Sequence, residues 1–207
     1  MKIPAGPHVY LLNRTHRRPD GFRKCLESIR RQTVLPVVVI ISDADDGYVG
    51  EIDIPHIVYR PEKIRKPRWW IRHHNPFNDY FNQAMSVVPD GNYVVYLDDD
   101  DVLIDGNWTK TILAMNRDVL IGKFQLGADH DFAVIGTGLI RGKIGGSCIA
   151  LRSEIARKNP WPQRAGGDFG FIRRVCRRYP PVFVDSIVAG VQSNLNRSWS
   201  RQNRSSV

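Results

Sequence analysis

Four consecutive aspartates, Asp98–Asp101, directly follow the apolar run Tyr93–Leu97. Such a run is typical of a buried strand, so the aspartates stand where that strand leaves its sheet. Adjacent carboxylates repel one another, and their removal from water is unfavourable. A cation should therefore neutralise them, yet no Lys or Arg lies within eight residues on either side.

A divalent metal is the simplest cation for this cluster, because Mg²⁺ and Mn²⁺ prefer hard carboxylate oxygens. Mg²⁺ generally takes one or two protein carboxylates and completes its shell with water and phosphate oxygens. The pattern therefore predicts a metal site at the strand end that receives a phosphorylated ligand. The alternative is an acidic surface turn.

The charge of the chain is unevenly distributed. The net charge is +9, but acidic residues concentrate in Asp43–Asp53 and Asp98–Asp105, which indicates a basic body with an acidic pocket. A basic body favours a polyanionic partner, either nucleic acid or an anionic surface. The alternative is a basic surface that serves solubility.

The chain length and the absence of targeting signals indicate one cytoplasmic domain. The 207 residues, 42% of them hydrophobic, suffice for a single packed domain over residues 1–207. No apolar run approaches membrane-spanning length, and the N-terminus lacks the apolar core of a secretory signal. Three dispersed cysteines, Cys25, Cys148 and Cys176, predict buried free thiols in a reducing cytoplasm, which for a phage-encoded protein is that of the host.

Strand and helix patterns alternate in the first half of the chain. Apolar runs predict strands at 8–12, 36–41, 57–59, 93–97, 132–135, 148–151 and 182–184, and 3.6-residue periodicity or flanking signals predict helices at 20–32, 75–88, 107–116 and 168–178. This alternation favours an α/β fold with an open, mostly parallel sheet flanked by helices on both faces. Ligands of such sheets bind outside the carboxyl ends of the strands. Asp43–Asp46 and Asp98–Asp101 should therefore share one crevice.

Five motifs in chain order resemble family-two glycosyltransferases of the GT-A (Rossmann-like) fold. Arg14–Thr33 is similar to the opening loop and first helix of that family, and Ser42-Asp43 resembles its Val-Val-Asp-Asp stretch. Asn82–Ala84 is similar to its Asn-x-Gly/Ala helix, and Leu97–Asp101 to its Leu-Asp-x-Asp-Asp metal motif. Gly167–Arg174 resembles its Glu-Asp-x-x-Leu-x-x-Arg helix start.

The resemblance spans residues 8 to about 178 and implies glycosyl transfer from a nucleotide sugar, expected to be a UDP-sugar. About residues 1–105 would form a nucleotide-binding half, about 106–190 an acceptor half, and 191–207 a basic tail. The implied cofactor is Mn²⁺ or Mg²⁺, bound by Asp98 and Asp100, which would neutralise the leaving diphosphate. The residues implied to contact the donor are Thr15, Arg18, Asp43, Asn82, Asp98, Asp99 and Arg197. The alternatives are helix capping for Thr15 and turn formation for Asp43.

Asp168 is the candidate catalytic base. It follows two glycines, which allow close approach of an acceptor, and it begins a predicted helix, whose dipole favours a carboxylate. As a base it would take the proton of an acceptor hydroxyl during a single displacement that inverts the anomeric configuration. The alternative is a helix cap.

The chain departs from the family pattern at several positions. Gly167 stands where the family usually has an acid, and Ser42 replaces the first Asp of its pair. No late His completes the metal shell, so water or tail residues would have to do so, namely Asn194, Asn196 or Ser200.

The segment Lys63–Arg72 interleaves basic side chains with Trp69 and Trp70. Cations suit phosphates and indoles suit stacking on exposed bases, although an ordinary donor-site loop is an alternative. With the net charge, the segment favours a nucleic-acid acceptor such as a hydroxymethylated base of phage-type DNA, flipped out to reach Asp168. Two further hypotheses are a glycosyltransferase acting on a protein or cell-surface glycan, and a nucleic-acid-binding protein without catalysis.

Overall fold

The computed structural model describes residues 6–43, 47–49, 52–62, 77–126, 133–164 and 167–192. Within these ranges nine strands form one sheet, and five α-helices flank it. The strands are β1 (Val9–Thr15), β2 (Val37–Ser42), β3 (His56–Tyr59), β4 (Tyr93–Asp98), β5 (Asp101–Leu103), β6 (Val119–Leu126), β7 (Ala133–Ile135), β8 (Ile149–Arg152) and β9 (Val182–Val191). The helices are α1 (Pro19–Arg30), α2 (Phe77–Ala84), α3 (Trp108–Met115), α4 (Ser153–Lys158) and α5 (Gly167–Arg178).

The N-terminal half of the sheet is parallel throughout, in the order β3-β2-β1-β4. Leu11 and Leu12 are both fully buried, although consecutive strand residues point to opposite faces. Both faces of this half are therefore covered, as expected of a parallel sheet. This confirms the predicted α/β class and the strands predicted at 8–12, 36–41, 57–59 and 93–97.

The C-terminal half is mixed. Strand β8 runs antiparallel to β4 and β6, β6 runs parallel to β9, and β5 and β7 pair antiparallel with β9 and β6. Sequence patterns predicted neither β5 nor β6 nor α4. Gly122 and Lys123 interrupt the apolar run of β6, β5 has only three residues, and α4 has six.

The parallel register of β1 with its two neighbours positions the acidic cluster. Arg14 pairs with Asp98 of β4, and Thr15 pairs with Ser42 of β2. The carboxyl ends of all three strands therefore lie side by side. Side chains at the carboxyl end of β1 therefore reach both Asp43 and the aspartates at the end of β4.

The last described residue, Gln192, fixes the backbone around the aspartates. Its amide nitrogen donates to the carbonyl oxygens of Gly21, Asp99 and Asp101, at 3.0–3.2 Å. Its backbone N–H donates to the carbonyl oxygen of Asp100 at 2.8 Å. The end of β9 thus holds the turn between β4 and β5 against the start of α1.

Other sequence predictions have plain outcomes. Cys25, Cys148 and Cys176 are buried free thiols, as predicted. No helix in the described parts of the chain is both long and apolar enough to cross a bilayer. The predictions for Lys63–Arg72 and for Arg197 lie outside the described residues.

We expect Gly122→Ala to destabilise the fold by about 1–3 kcal/mol, because overpacking in a close-packed core forces local shifts. A Cβ atom at Gly122 would lie 2.4 Å from Cγ1 of the buried Val188 on β9. Gly138→Ala is the matched control, since its Cβ would meet only Ile140, at 3.8 Å. Urea denaturation measures both, and equal unfolding free energies would contradict the close β6–β9 packing.

Candidate active site

A cavity of about 350 Å³ opens at the carboxyl ends of β1, β2 and β4. It contains most of the residues predicted to contact the donor. Its lining comprises Arg14, Thr15, His16, Arg18, Ile41, Asp43, Phe77, Tyr80, Asp98, Asp99 and Asp100. The two acidic clusters therefore share one crevice through Asp43 and Asp98–Asp100, as predicted.

Two arginines from the exit of β1 neutralise the aspartates. Arg14 makes a bidentate ion pair with Asp98, with both N···O distances at 2.7 Å. Arg18 reaches Asp99 and Asp100 with the same nitrogen, at 2.9 and 3.0 Å. These partners lie 81 to 84 residues apart in sequence, so no cation stands near the aspartates along the chain. Parallel pairing of β1 with β4 brings them together.

Thr15 supports Asp99 rather than capping a helix. It ends β1, and its hydroxyl donates to Asp99 Oδ2 at 2.9 Å and contacts the Tyr48 hydroxyl at the same distance. Burial raises the pKa of Asp99 to about 6, although Arg18 and Thr15 both favour its charged form. Asp99 is thus a carboxylate that loses its charge just below neutral pH.

The other end of the cavity is aromatic. Asp43 Oδ1 lies 2.6 Å from His16 Nδ1. Burial and the hydrogen bond to Asp43 raise the pKa of Tyr80 to about 12, so its hydroxyl stays protonated and donates. The Phe77 ring packs edge-on against Tyr80 and is 42% exposed. A flat heterocycle with polar edges would find both ring contacts and a carboxylate acceptor here.

Asp101 differs from the other three aspartates. It begins β5, is 8% exposed, and accepts a hydrogen bond from the Ser147 hydroxyl at 2.6 Å. Burial raises its pKa well above the ordinary value. It does not line the first cavity but a second one, so the acidic run serves two sites.

The second cavity, of about 450 Å³, contains Asp168. Asp168 lies in the first turn of α5, and its Oδ2 accepts from the Gly146 N–H at 3.1 Å. Burial raises its pKa, although the Gly146 bond favours the ionised form. Arg14 and Asp98 line both cavities, so the two adjoin at this ion pair.

Asn82 lies outside the first cavity. Its side chain donates to the Trp161 carbonyl oxygen at 3.0 Å and accepts from the Trp161 N–H at 2.7 Å. Trp161 stacks on Phe171 with ring centroids 4.1 Å apart, and Tyr96 packs edge-on against both rings. Asn82 therefore anchors the aromatic layer beneath the second cavity.

Arg14 also rests on that layer. Its guanidinium lies 4.1 Å from the centroid of the Phe81 ring and donates to Asn78 Oδ1 at 3.2 Å. Arg14 was not among the predicted site residues. The parallel register that pairs it with Asp98 would have identified it.

The first cavity has the donor set of a magnesium or manganese site that is completed by a ligand. Asp98 and Asp100 are both partly exposed to it, with side chains 38% and 28% accessible. Of the described residues, four carboxylates and two arginines line it, and this set carries excess negative charge that would repel a diphosphate without a further cation. No three His, Cys, Asp or Glu residues among the described ones form a metal cluster by themselves. A metal here would thus need phosphate oxygens and water.

Comparisons by sequence find no match, either to a family model or to a curated protein. Comparisons by structure do. TarS of S. aureus aligns with a TM-score of 0.66 at 14% identity, over 93% of this chain and 38% of TarS. A 1–349 form of TarS aligns with a TM-score of 0.62 at 15% identity, over 89% of this chain and 60% of that one.

The mannosyltransferase PcManGT from Pyrobaculum calidifontis, solved with GDP-Man and Mn²⁺, aligns with a TM-score of 0.64 at 14% identity. The alignment covers 95% of this chain and 61% of that one. The chain has the GT-A fold. It spans less than two thirds of the length of each of these three structures.

We expect Arg18→Met to lower the unfolding free energy by about 2–3 kcal/mol at pH 8, because it leaves buried carboxylates unpaired. The loss should shrink as the pH falls toward about 6, because Arg18 lowers the pKa of Asp99, and without Arg18 this carboxyl becomes neutral at a higher pH than in the wild type. Arg23→Met is the matched control, since its ion pair with Asp20 is exposed and contributes little. Urea titrations at several pH values measure this, and a pH-independent loss would contradict the role of Asp99.

Proposed function

We propose that this protein is a glycosyltransferase that moves a sugar from a nucleotide-sugar donor to an acceptor hydroxyl. One observation carries the proposal: the first cavity and the cavity of Asp168 adjoin at Arg14 and Asp98. A donor in the first cavity would direct its anomeric carbon toward that junction, where an acceptor in the second cavity meets it. The GT-A fold supports this assignment.

The nucleotide would lie along the first cavity. Its base would stack on Phe77 and Tyr80, with Asp43 accepting from the base or ribose. The diphosphate would lie at the opposite end, beside Arg18 and Asp98–Asp100. Thr15 would act there through Asp99, whose orientation it fixes. We propose a UDP-sugar as donor; a GDP-sugar is the alternative that the PcManGT complex suggests.

Asp100 and Asp98 would hold Mn²⁺ or Mg²⁺ together with the donor phosphates. When bound, the metal would offset negative charge on the departing diphosphate. Both oxygens of Asp98 already accept from Arg14, whereas Asp100 has only Arg18 as a described ion-pair partner. Asp100 is therefore the principal ligand in this proposal, with Arg14 keeping Asp98 ionised and oriented.

Asp168 would act as the general base. The acceptor hydroxyl loses its proton to Asp168 while its oxygen bonds to the anomeric carbon. The bond from that carbon to the diphosphate breaks at the same time, and the nucleoside diphosphate leaves with the electron pair. Attack opposite the leaving group inverts the anomeric configuration. Burial raises the pKa of Asp168, which makes it a stronger base than an exposed aspartate.

We propose a hydroxymethylated base of phage-type DNA as the acceptor. The net charge of +9 supports this proposal. Mass spectrometry of DNA, protein and glycan from expressing cells would identify the modified molecule. A protein or glycan product would contradict the DNA acceptor but not glycosyl transfer. Binding of DNA without any turnover would favour the non-catalytic hypothesis.

Asp100→Ala should lower Mn²⁺-dependent hydrolysis of the donor sugar by about a hundredfold or more, through loss of stabilisation of the leaving group. Release of the nucleoside diphosphate from a panel of UDP- and GDP-sugars measures this. Asp118→Asn is the control, since Asp118 is exposed and lines neither cavity. Turnover that survives Asp100→Ala would exclude the metal role of Asp100.

Asp168→Asn should lower transfer by about a hundredfold or more, because an amide cannot accept the proton. In the wild type, the rate should rise with pH through the raised pKa of Asp168 and then level off. The variant should lack that rise, yet bind the nucleotide normally, since Asp168 does not line the first cavity. An unchanged pH profile of the variant would rule out Asp168 as the base.

A further inference from the structure

A third cavity, of about 700 Å³, continues from the second and is strongly cationic. The two share Gly142, Ile144 and Asp168. Among the described residues, five arginines line the third cavity, and Asp168 at its inner end is the only carboxylate. These arginines are Arg141, Arg164, Arg173, Arg174 and Arg177. The described lining of the third cavity therefore carries an excess of positive charge, whereas that of the first cavity, where we propose the donor binds, carries an excess of negative charge.

Helix α5 presents three of these arginines on one face. Gly170, Arg173, Arg174 and Arg177 follow the spacing i, i+3, i+4, i+7, whereas Phe171 and its apolar neighbours face the core. Like charges three and four residues apart destabilise a helix. Arg177 lies in the last turn, where the helix dipole favours a cation, but an anion between the three guanidinium groups would remove their mutual repulsion.

The remaining arginines converge on the same space from two loops. Asn78, 2% exposed, donates to the carbonyl oxygens of Pro162 and Arg164, so it fixes the loop that carries Arg164. A Cβ atom at Gly170 would lie 2.8 Å from a terminal nitrogen of Arg164, so this glycine leaves room for the guanidinium. Burial, together with the charges of Arg164 and Arg178, lowers the pKa of Arg174.

None of the five arginines has an ion-pair partner within 4 Å among the described residues. Elsewhere in the described chain, arginines such as Arg14, Arg18 and Arg157 do pair with carboxylates. Among the described residues, the guanidinium groups that converge here from one helix and two loops therefore have no carboxylate within ion-pair distance, although Arg174 donates to the carbonyl oxygen of Pro160.

Resting on the function proposed above, we infer that this arginine cavity binds phosphate groups of the acceptor, which is a phosphodiester chain. A phosphodiester carries its negative charge on two non-bridging oxygens and the chain repeats this group at every unit, so successive phosphates can accept from guanidiniums on different elements at once. A carboxylate has two coplanar oxygens, which a single guanidinium satisfies. Because Asp168 lines both cavities, a phosphate in the third places the neighbouring unit of its chain beside the base.

The test is binding of short labelled phosphodiester chains, measured by fluorescence anisotropy over a salt series. Arg173→Gln/Arg177→Gln removes two charges from the cavity. Arg31→Gln/Arg117→Gln removes two exposed charges that line none of the three cavities, so both variants carry +7 in place of +9. The probes are a single-stranded oligodeoxynucleotide, an oligo-glycerol-phosphate and, as a carboxylate control, an oligogalacturonate of equal charge.

We expect the cavity variant to bind phosphodiester probes about tenfold or more weakly than the control variant. The slope of log K against the logarithm of the salt concentration should be less steep by about 1–2 in the cavity variant, because two phosphate contacts are lost. Its melting temperature should not fall, since the variant removes like-charge repulsion. Preference for one phosphodiester probe identifies the source of the chain, and either preference supports the inference.

Equal binding by the two variants, or equally tight binding of the carboxylate probe, would overturn the inference. Donor-sugar hydrolysis separates this failure from that of the proposed function. It should be unchanged in the cavity variant, because neither arginine lines the donor cavity. Donor-sugar hydrolysis without selective phosphodiester binding would be compatible with the proposed glycosyltransferase function. It would exclude the arginine cavity as a binding site for the acceptor.

Discussion

The pairing of Arg14 and Arg18 with Asp98–Asp100 is the interaction on which this site depends. Three adjacent carboxylates at one strand end would repel one another and would not remain ordered without nearby cations. The parallel register of β1 with β4 supplies those cations from a strand that is adjacent in space but distant in sequence. Among the described residues, these two arginines do not neutralise all the carboxylates of the first cavity. The remaining negative charge favours a further cation there.

Charge is separated along the three adjoining cavities. The first has excess carboxylates, the second contains Asp168 and Asp101, and the third is lined by arginines. An anionic acceptor would therefore be repelled by the first cavity and attracted to the third. The described residues thus separate an acidic crevice from a basic one within a chain whose net charge is +9.

Sequence patterns predicted the elements that carry local signals. The continuous apolar runs of β1, β2 and β4 and the helical spacing of α1 identified the parallel half, and with it the meeting of Asp43 with the aspartates. They could not predict that Asp101 turns away from the other three, because that depends on β5 pairing with β9. The apolar run of β6 was hidden by Gly122, whose lack of a side chain is required by Val188 on β9.

Gln192 joins regions that are far apart in the chain, since its amide bonds to Gly21 across 171 residues and also holds Asp99 and Asp101. The geometry of the first cavity is therefore incomplete until strand β9 has been synthesised and has docked. Long-range closures of this kind slow folding. The first hundred residues contain every described side chain that lines the first cavity, yet expressed alone they would lack the contacts that hold its aspartates in place.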